Sequence, residues 1–150
     1  MSNKATIIRS AEKKGTTTAN SEYTFHFSSY PAHENISLYE GHFKNTSDNK
    51  LLHYHKLMTE IFTVLEGEFF FSLAGEEYIL QPGDTIIIPP LVVHGFRAKL
   101  PNSSLQFVST NIMNREEFFR GLAKIINGET VFNDEELEAF YNSHDQYSVK

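Results

Sequence analysis

The apolar residues of this chain follow two different spacings. From about residue 6 to residue 111 they occur in short runs that alternate with polar residues or end at Gly, Pro or Asn. Such runs are typical of short strands joined by turns, and many of them at close spacing predict a β-sandwich or a small barrel. The strand-like runs are 23–27, 36–39, 61–65, 68–73, 76–80, 85–88, 92–98 and 105–111.

Turn residues separate several of these runs. Ala74-Gly75 lies between two strand-like runs and predicts a hairpin. Gln81-Pro82-Gly83-Asp84 predicts a turn of type II, because Pro suits its second position and Gly its third. The run Phe69-Phe70-Phe71 cannot face the interior with all three rings, because strand side chains alternate. One face of it is expected to meet a helix or a second subunit.

After residue 113 the spacing becomes helical. Asn114 with Glu117, and Asn133 with Glu136, have the spacing of capping boxes. Apolar residues then fall on one face of each predicted helix, and Gly128 suits the end of the first. They are Phe118, Phe119, Leu122, Ile125 and Ile126 in the first helix, and Leu137, Phe140 and Tyr141 in the second. These faces must cover the β domain or a partner subunit.

The organisation expected from these patterns is one domain, 1–150. It has an N-terminal arm over 1–20, a barrel over about 21–112 and a helical tail over 114–143. The composition agrees, since 150 residues with 40% hydrophobic and 21% charged residues are typical of one globular domain.

Charge and composition exclude several classes of function. The net charge is −6 and no basic stripe is present, which argues against binding to nucleic acid or to an anionic membrane surface. The chain has no Cys, so disulfides, thiolate nucleophiles and iron–sulfur clusters are excluded. We find no signal-like apolar stretch and no run of apolar residues long enough to span a membrane, and therefore expect a cytoplasmic protein.

Candidate chemistry lies in a group of histidines with one glutamate. His53 and His55 are two residues apart in a strand-like stretch, so their side chains face the same side and can reach one metal ion. Glu60 follows after four residues, and His94 lies further along the chain. If a barrel closes with these side chains inward, the set would suit Fe, Mn, Ni, Cu or Zn. A buried histidine is otherwise usually a hydrogen-bonded core residue, and Glu60 could merely balance charge.

At these residues the sequence resembles the cupins. Their first motif corresponds to His53-Tyr54-His55 with Glu60 and Gly67, and their second runs from Gly83 through Pro89 to His94. The resemblance covers about residues 35–112. It implies a mainly β fold, a cupin-type antiparallel β-barrel (double-stranded β-helix or jelly roll) with two C-terminal α-helices. It also implies one divalent transition metal ion bound by His53, His55, Glu60 and His94.

This sequence departs from the family pattern at three positions. Ser47 stands where the first motif usually begins with Gly, Leu91 replaces a Gly between Pro and His, and Ala98 replaces a final Asn. These positions concern loop geometry and the end of a strand, so every metal-ligand position remains filled.

The resemblance implies an enzyme of the small single-domain, quercetin-dioxygenase-like kind, which is a metal-dependent oxygenase of a small organic molecule. In that hypothesis Glu60 is both a ligand and a general base toward a substrate hydroxyl. One alternative is a metal-dependent isomerase or lyase of a small carbonyl compound. Another is a non-catalytic cupin that binds a small ligand.

The surroundings of the site leave further alternatives open. Phe62, Val64 and Phe96 share strand parity with Glu60 or His94, so they either line the pocket or pack in the core. The same parity argument places His42 either at the pocket or toward solvent. Surface or packing roles are expected for the remaining histidines, which are His26, His33 and His144. The surplus of apolar residues favours a homodimer.

Overall fold

The computed structural model describes residues 5–27, 35–111 and 115–150. Asn114, the predicted cap of the first helix, and His33 lie outside these residues. Within them, no helix is long and apolar enough to cross a membrane.

The described chain consists mainly of short strands. The strands are β1 (Lys14–Thr17), β2 (Ser21–Phe27), β3 (Ile36–Phe43), β4 (His53–Tyr54), β5 (Thr59–Glu66), β6 (Phe69–Leu73), β7 (Glu76–Leu80), β8 (Thr85–Ile88), β9 (His94–Ala98), β10 (Ser103–Thr110) and β11 (Tyr147–Ser148). The helices are α1 (Arg115–Ile126) and α2 (Asp134–Ser143), and a 3₁₀ turn (Ser10–Glu12) precedes β1.

The strands form two antiparallel sheets. The six-stranded sheet has the order β1-β2-β3-β10-β5-β8, and the five-stranded sheet has the order β11-β4-β9-β6-β7. The architecture is a jelly-roll β-barrel followed by two helices, which confirms the predicted fold class. Two features were not predicted. Residues 14–17 of the expected arm pair with β2, and the chain after α2 returns to the barrel, where β11 pairs with β4.

The core between the sheets is aromatic because the strands alternate inward and outward side chains. On β5, Glu60, Phe62 and Val64 are buried while their neighbours are partly exposed. Tyr39 and Phe107 stack with ring centroids 4.8 Å apart. Each such ring contributes roughly 1.5–3 kcal/mol through burial, so the barrel has ample apolar stabilisation of its own.

The three consecutive phenylalanines of β6 alternate as the strand period requires. Phe69 and Phe71 are fully buried in the core, whereas Phe70 points outward. The guanidinium of Arg97 lies 4.0 Å from the centroid of the Phe70 ring. Within one chain this outward face is therefore covered by an arginine of the neighbouring strand and not by a helix, while contact with a second subunit stays a prediction.

The predicted turns and the predicted second helix cap are present. Ala74 and Gly75 both have positive φ, 48° and 91°, in the hairpin between β6 and β7. The amide of Asp84 donates to the carbonyl of Gln81 at 2.9 Å, and Gly83 has a φ of 92°, as a type II turn requires. Asn133 caps α2 in a capping box with Glu136.

Helix α1 covers one end of the barrel. Phe118 and Phe119 are buried, and the Phe119 ring lies 4.8 Å from the rings of both Tyr23 and Tyr39. Phe140 of α2 stacks on Phe118 at 5.6 Å. The helices thus use their predicted apolar faces against the barrel and against each other.

Candidate metal centre

Strands β4, β5 and β9 bring the four predicted ligands together. His53 lies directly opposite His94 in the pairing of β4 with β9, and Glu60 points inward from β5. His55 follows β4 outside regular strand structure, so the predicted strand-like stretch 51–57 is shorter than expected. One potential ligand atom from each of His53, His55, Glu60 and His94 lies within 4.8 Å of all the others.

Backbone carbonyls fix the tautomer of all three histidines. The Nδ1 atoms lie 2.6 Å from the carbonyl oxygen of Leu51 for His53, 2.7 Å from that of Asp145 for His55, and 2.8 Å from that of Val92 for His94. A carbonyl oxygen only accepts hydrogen bonds, so each Nδ1 carries the hydrogen. Each ring, when neutral, therefore presents the lone pair of Nε2, the arrangement usual for metal-ligating histidines.

The Nε2 atoms of His55 and His94 both lie next to the Glu60 carboxylate. Oε2 of Glu60 is 3.1 Å from Nε2 of His55 and 3.0 Å from Nε2 of His94. Acceptor atoms this close repel one another unless a proton or a cation lies between them. Two ligands on opposite sides of an ion with bonds of about 2.1 Å are about 4.2 Å apart, close to the span of this cluster. The donor set therefore fits a divalent transition metal ion, whose identity it leaves open.

The electrostatics of the cluster favour the protonation states of His53 and Glu60 that suit metal binding. Burial and the neighbouring charge of His94 lower the pKa of His53 to about 3, so its imidazole is neutral at physiological pH. Burial alone would raise the pKa of Glu60. Hydrogen bonds with His55 and His94, together with the charges of His55 and Arg115, outweigh burial and hold that pKa well below its usual value.

The residues that follow α2 support the cluster from behind. The Asp145 carboxylate accepts hydrogen bonds from the amides of Lys56, Leu57 and Met58 at 2.9–3.0 Å. The carbonyl of the same Asp145 is the one that orients His55. Asp145 thereby ties the chain after α2 to the turn that carries a predicted ligand.

Arg115, the first residue of α1, is 2% exposed and reaches toward the same carboxylate. Its Nη2 lies 3.9 Å from Oε1 of Glu60 and 3.1 Å from Oε1 of Gln146, and its Nη1 donates to the carbonyl of His144 at 3.3 Å. No spacing in the sequence indicated Arg115 or Asp145, because both act from beyond the barrel motifs. The only signal for Arg115 was a charged residue on an otherwise apolar helix face.

A cavity of about 380 Å³ opens beside the cluster. His53, Glu60 and Arg115 lie in its lining, and most of the remaining wall is aromatic or aliphatic. Of the three residues predicted either to line the pocket or to pack in the core, Phe62 and Phe96 line this cavity. Val64 is a buried core residue outside its lining.

The other histidines lie outside the cluster, where the structure describes them. His42 is on the outward face of β3, where its Nδ1 lies 2.8 Å from Oγ of Ser104. Of its two predicted positions, at the pocket or toward solvent, the structure therefore favours the second. His26 contacts Glu40 at 3.1 Å, and His144 packs on Phe118.

The family's glycine positions have a local explanation in this structure. Gly67 has a φ of 70°, and a Cβ there would lie 2.0 Å from Oγ of Ser103. Leu91, which stands where the family pattern has glycine, adopts a φ of 71°. That left-handed conformation is unfavourable for a residue with a Cβ by roughly 1–2 kcal/mol. The backbone at Leu91 is therefore strained relative to a glycine at the same position.

Two known proteins match short segments of this chain. A segment of 45 residues is 42% identical to quercetin 2,3-dioxygenase of Bacillus subtilis, covering 30% of this chain and 13% of that protein. A segment of 44 residues is 43% identical to an uncharacterized protein of Methanocaldococcus jannaschii, covering 29% of this chain and 35% of that protein. The chain thus matches only a minor part of the length of either relative.

Solved structures resemble the fold over a larger part of the chain. KdgF from Halomonas sp. superposes with a TM-score of 0.65 at 18% identity, covering 75% of this chain and 99% of that one. Iron(II) HppE has a TM-score of 0.63 at 16% identity, covering 73% and 62%. The Streptomyces nucleoside dehydratase Pac13 has a TM-score of 0.58 at 11% identity, covering 75% and 88%. At these identities the likeness concerns the fold alone.

The family model of the cupin domain matches residues 42–109, which include His53, His55, Glu60 and His94. The matched segment contains both motifs found in the sequence and forms most of the jelly-roll barrel seen in the structure. The two motifs, the jelly-roll fold and this match agree that residues 42–109 form a cupin domain.

Proposed function

We propose that this cupin is a metal-dependent oxygenase, similar to quercetin 2,3-dioxygenase, that acts on a small organic molecule. The observation that carries the proposal is the convergence of three Nε2 atoms and one carboxylate beside an apolar cavity. The segmental identity with the Bacillus subtilis dioxygenase supports the same class of reaction.

In the proposed site His53, His55, Glu60 and His94 hold one ion of Fe, Mn, Ni, Cu or Zn. An ion that accepts five or six ligands would keep one or two positions open and supply Lewis acidity, together with redox chemistry if it is redox-active. The orientation of the three imidazole rings is fixed, because each Nδ1–H donates a hydrogen bond to a backbone carbonyl.

Glu60 is the proposed general base. Its carboxylate is ionised at neutral pH and can accept the proton of a substrate hydroxyl, as a weak base because its pKa is held low. It borders the cavity directly, whereas His55 and His94 lie behind the cavity wall. The aromatic lining, including Phe62 and Phe96, would exclude water from the substrate and favour a flat or apolar molecule.

We also propose that the protein acts as a homodimer. Ile79 of the edge strand β7 is 51% exposed, and Ile87 of the edge strand β8 is 65% exposed. Packing of these sheet faces between two copies would bury the two side chains. The cytoplasmic location expected from the sequence stays a prediction.

A redox-neutral isomerase or lyase is the second candidate. The donor set accepts zinc as readily as a redox metal, and a Lewis acid beside the Glu60 base would suffice for proton transfer next to a carbonyl. The fold neighbours include a nucleoside dehydratase, so the architecture is compatible with such chemistry. A cupin that only binds a ligand is the third candidate.

The first test is elemental analysis of untagged protein purified without chelators. We expect one equivalent of a transition metal, lost in the His53→Ala/His94→Ala variant. The matched control is His26→Ala/His42→Ala, which removes two histidines of the same barrel outside the cluster. Wild-type protein that takes up no metal after reconstitution would refute the proposal.

The second test separates the three candidates. If the protein is an oxygenase, we expect oxygen consumption with members of a panel of small aromatic and carbonyl compounds. If it is an isomerase or lyase, we expect metal-dependent turnover of a panel compound without oxygen consumption. Glu60→Gln should abolish turnover in either enzyme. A panel compound that binds to wild-type and Glu60→Gln protein alike, with no turnover in either, would instead support the non-catalytic binder.

A further inference from the structure

A buried arginine lies in the wall of the apolar cavity. Arg115 is 2% exposed, and its guanidinium lies 3.9 Å from the centroid of the Phe118 ring. Placing a permanent positive charge among aromatic rings is costly unless something compensates it. The aromatic contact and the Glu60 carboxylate at 3.9 Å compensate part of that cost, and the remainder asks for a further hydrogen-bonding partner or anion.

The hydrogen bonds of Arg115 are incomplete. A guanidinium has five N–H donors. Nη1 donates to the His144 carbonyl and Nη2 to Gln146, whereas Nε is buried and has no partner among the described residues. A buried donor left without an acceptor costs about 1–3 kcal/mol, which an incoming acceptor could recover.

The charge of the cavity is also incomplete once a metal is bound. Glu60 is the single acidic residue in the lining, counted over residues 5–27, 35–111 and 115–150. A divalent ion, the Glu60 carboxylate and the Arg115 guanidinium together leave two positive charges. The other basic residues of the lining, Lys50 and Arg97, already pair with Glu77 outside it.

We propose that the cavity takes substrates that carry a carboxylate, which Arg115 binds while a second oxygen of the substrate faces the metal cluster. The inference rests on the proposed function, since the cluster supplies the second point of attachment. Nη2 of Arg115 is 3.9 Å from Oε1 of Glu60, so the two oxygen groups belong on neighbouring carbons of one small molecule. A planar carboxylate matches the fork of a single guanidinium, and the apolar wall suits an aromatic or aliphatic body.

The test compares two probes that differ only in charge at the relevant group. Binding of 2-hydroxybenzoate and of 2-hydroxybenzamide is measured by calorimetry on the zinc-loaded protein, with metal content determined in each sample. A charge-assisted hydrogen bond predicts a preference of roughly tenfold or more for the acid in wild-type protein. In Arg115→Met this preference should fall to below roughly twofold, at unchanged zinc content.

A matched control lies on the same helix. Arg120→Met removes an arginine that pairs with Glu116 on the helix surface, and it should keep the full preference. If Arg115→Met does not fold, Arg115→Lys takes its place in the test. This variant keeps the charge but lacks the planar fork, so an intermediate preference for the acid is expected.

The outcomes distinguish this inference from the proposed function. Equal affinity for the two probes in wild-type protein, or a preference that survives in Arg115→Met, overturns the inference. A preference lost only in His53→Ala/His94→Ala also overturns it, because the metal then binds the carboxylate. If the protein takes up none of Fe, Mn, Ni, Cu and Zn, the proposed function fails. A preference that still depends on Arg115 in that metal-free protein would support the carboxylate site alone.

Discussion

The candidate centre is assembled from two regions that differ in how they are encoded. The barrel region, strands β4, β5 and β9, supplies every proposed ligand. The tail region, residues 115–148, supplies the carbonyl that orients His55 and the arginine beside Glu60. The ligands occur at fixed spacings along the chain, whereas their supports depend on where a helical tail docks. The proposed metal site can therefore be recognised from the barrel region alone, but its geometry depends on both the barrel region and the tail region.

The largest effect is expected from releasing the tail at Asp145. In Asp145→Ala three backbone amides lose their acceptor and a residue at φ 57° loses a side chain suited to it, at a cost on the order of 3 kcal/mol. Because the tail also orients His55, metal affinity should fall by about 10–100-fold. Zinc titration and denaturant unfolding measure the two effects.

Asp134→Ala is the control for this experiment, since Asp134 is an exposed acidic residue of the same tail. It should leave metal affinity unchanged. A folded Asp145→Ala protein with wild-type metal affinity would show that the barrel region orients its proposed ligands without the tail region. The claim that the site depends on both regions would then be wrong.

A smaller effect is expected from acid. The pKa of His53 is lowered to about 3 in the folded metal-free protein, whereas an unfolded histidine has a value near 6.5. Below pH 6.5 the unfolded state binds a proton that the folded state does not, so stability is lost as the pH falls. The loss from this residue alone is about 2 kcal/mol at pH 5.

Unfolding curves of metal-free wild-type protein and His53→Gln at pH 7 and pH 5 isolate this contribution. The variant should lose less stability between the two pH values. Identical losses would mean that His53 is not held neutral by burial, and would weaken the barrel region as a preformed metal site.

The smallest effect concerns a departure from the family pattern in the barrel region. Leu91→Gly relieves the left-handed strain at φ 71° but makes the unfolded chain more flexible, so we expect a net gain of about 0.5 kcal/mol. Thermal unfolding measures it, with metal affinity expected to stay constant. A destabilised variant would mean that the exposed Leu91 side chain makes a compensating contact.

Local spacing was sufficient for the turns and for the inward faces of the strands, whereas the cupin-type fold and the grouping of His94 with the other three residues came from the resemblance to the family. Alternation placed Glu60 and Phe62 on one inward face, and the His-x-His spacing brought His53 and His55 to one point. Conversely, Asp145 contacts residues nearly ninety positions earlier, and no periodicity encodes such a contact. The covering of Phe70 by Arg97 was missed for the same reason, since it depends on the pairing of β6 with β9.

The docking of β11 also predicts an order of events during folding. A growing chain exposes both cupin motifs well before it reaches Asp145, so the barrel can collapse around its aromatic core while His55 still lacks the carbonyl that fixes its ring. Closing so long a loop is entropically slow compared with pairing the neighbouring hairpins. At the proposed metal site, ion capture at full affinity is thus expected to be a late step that follows folding of the barrel.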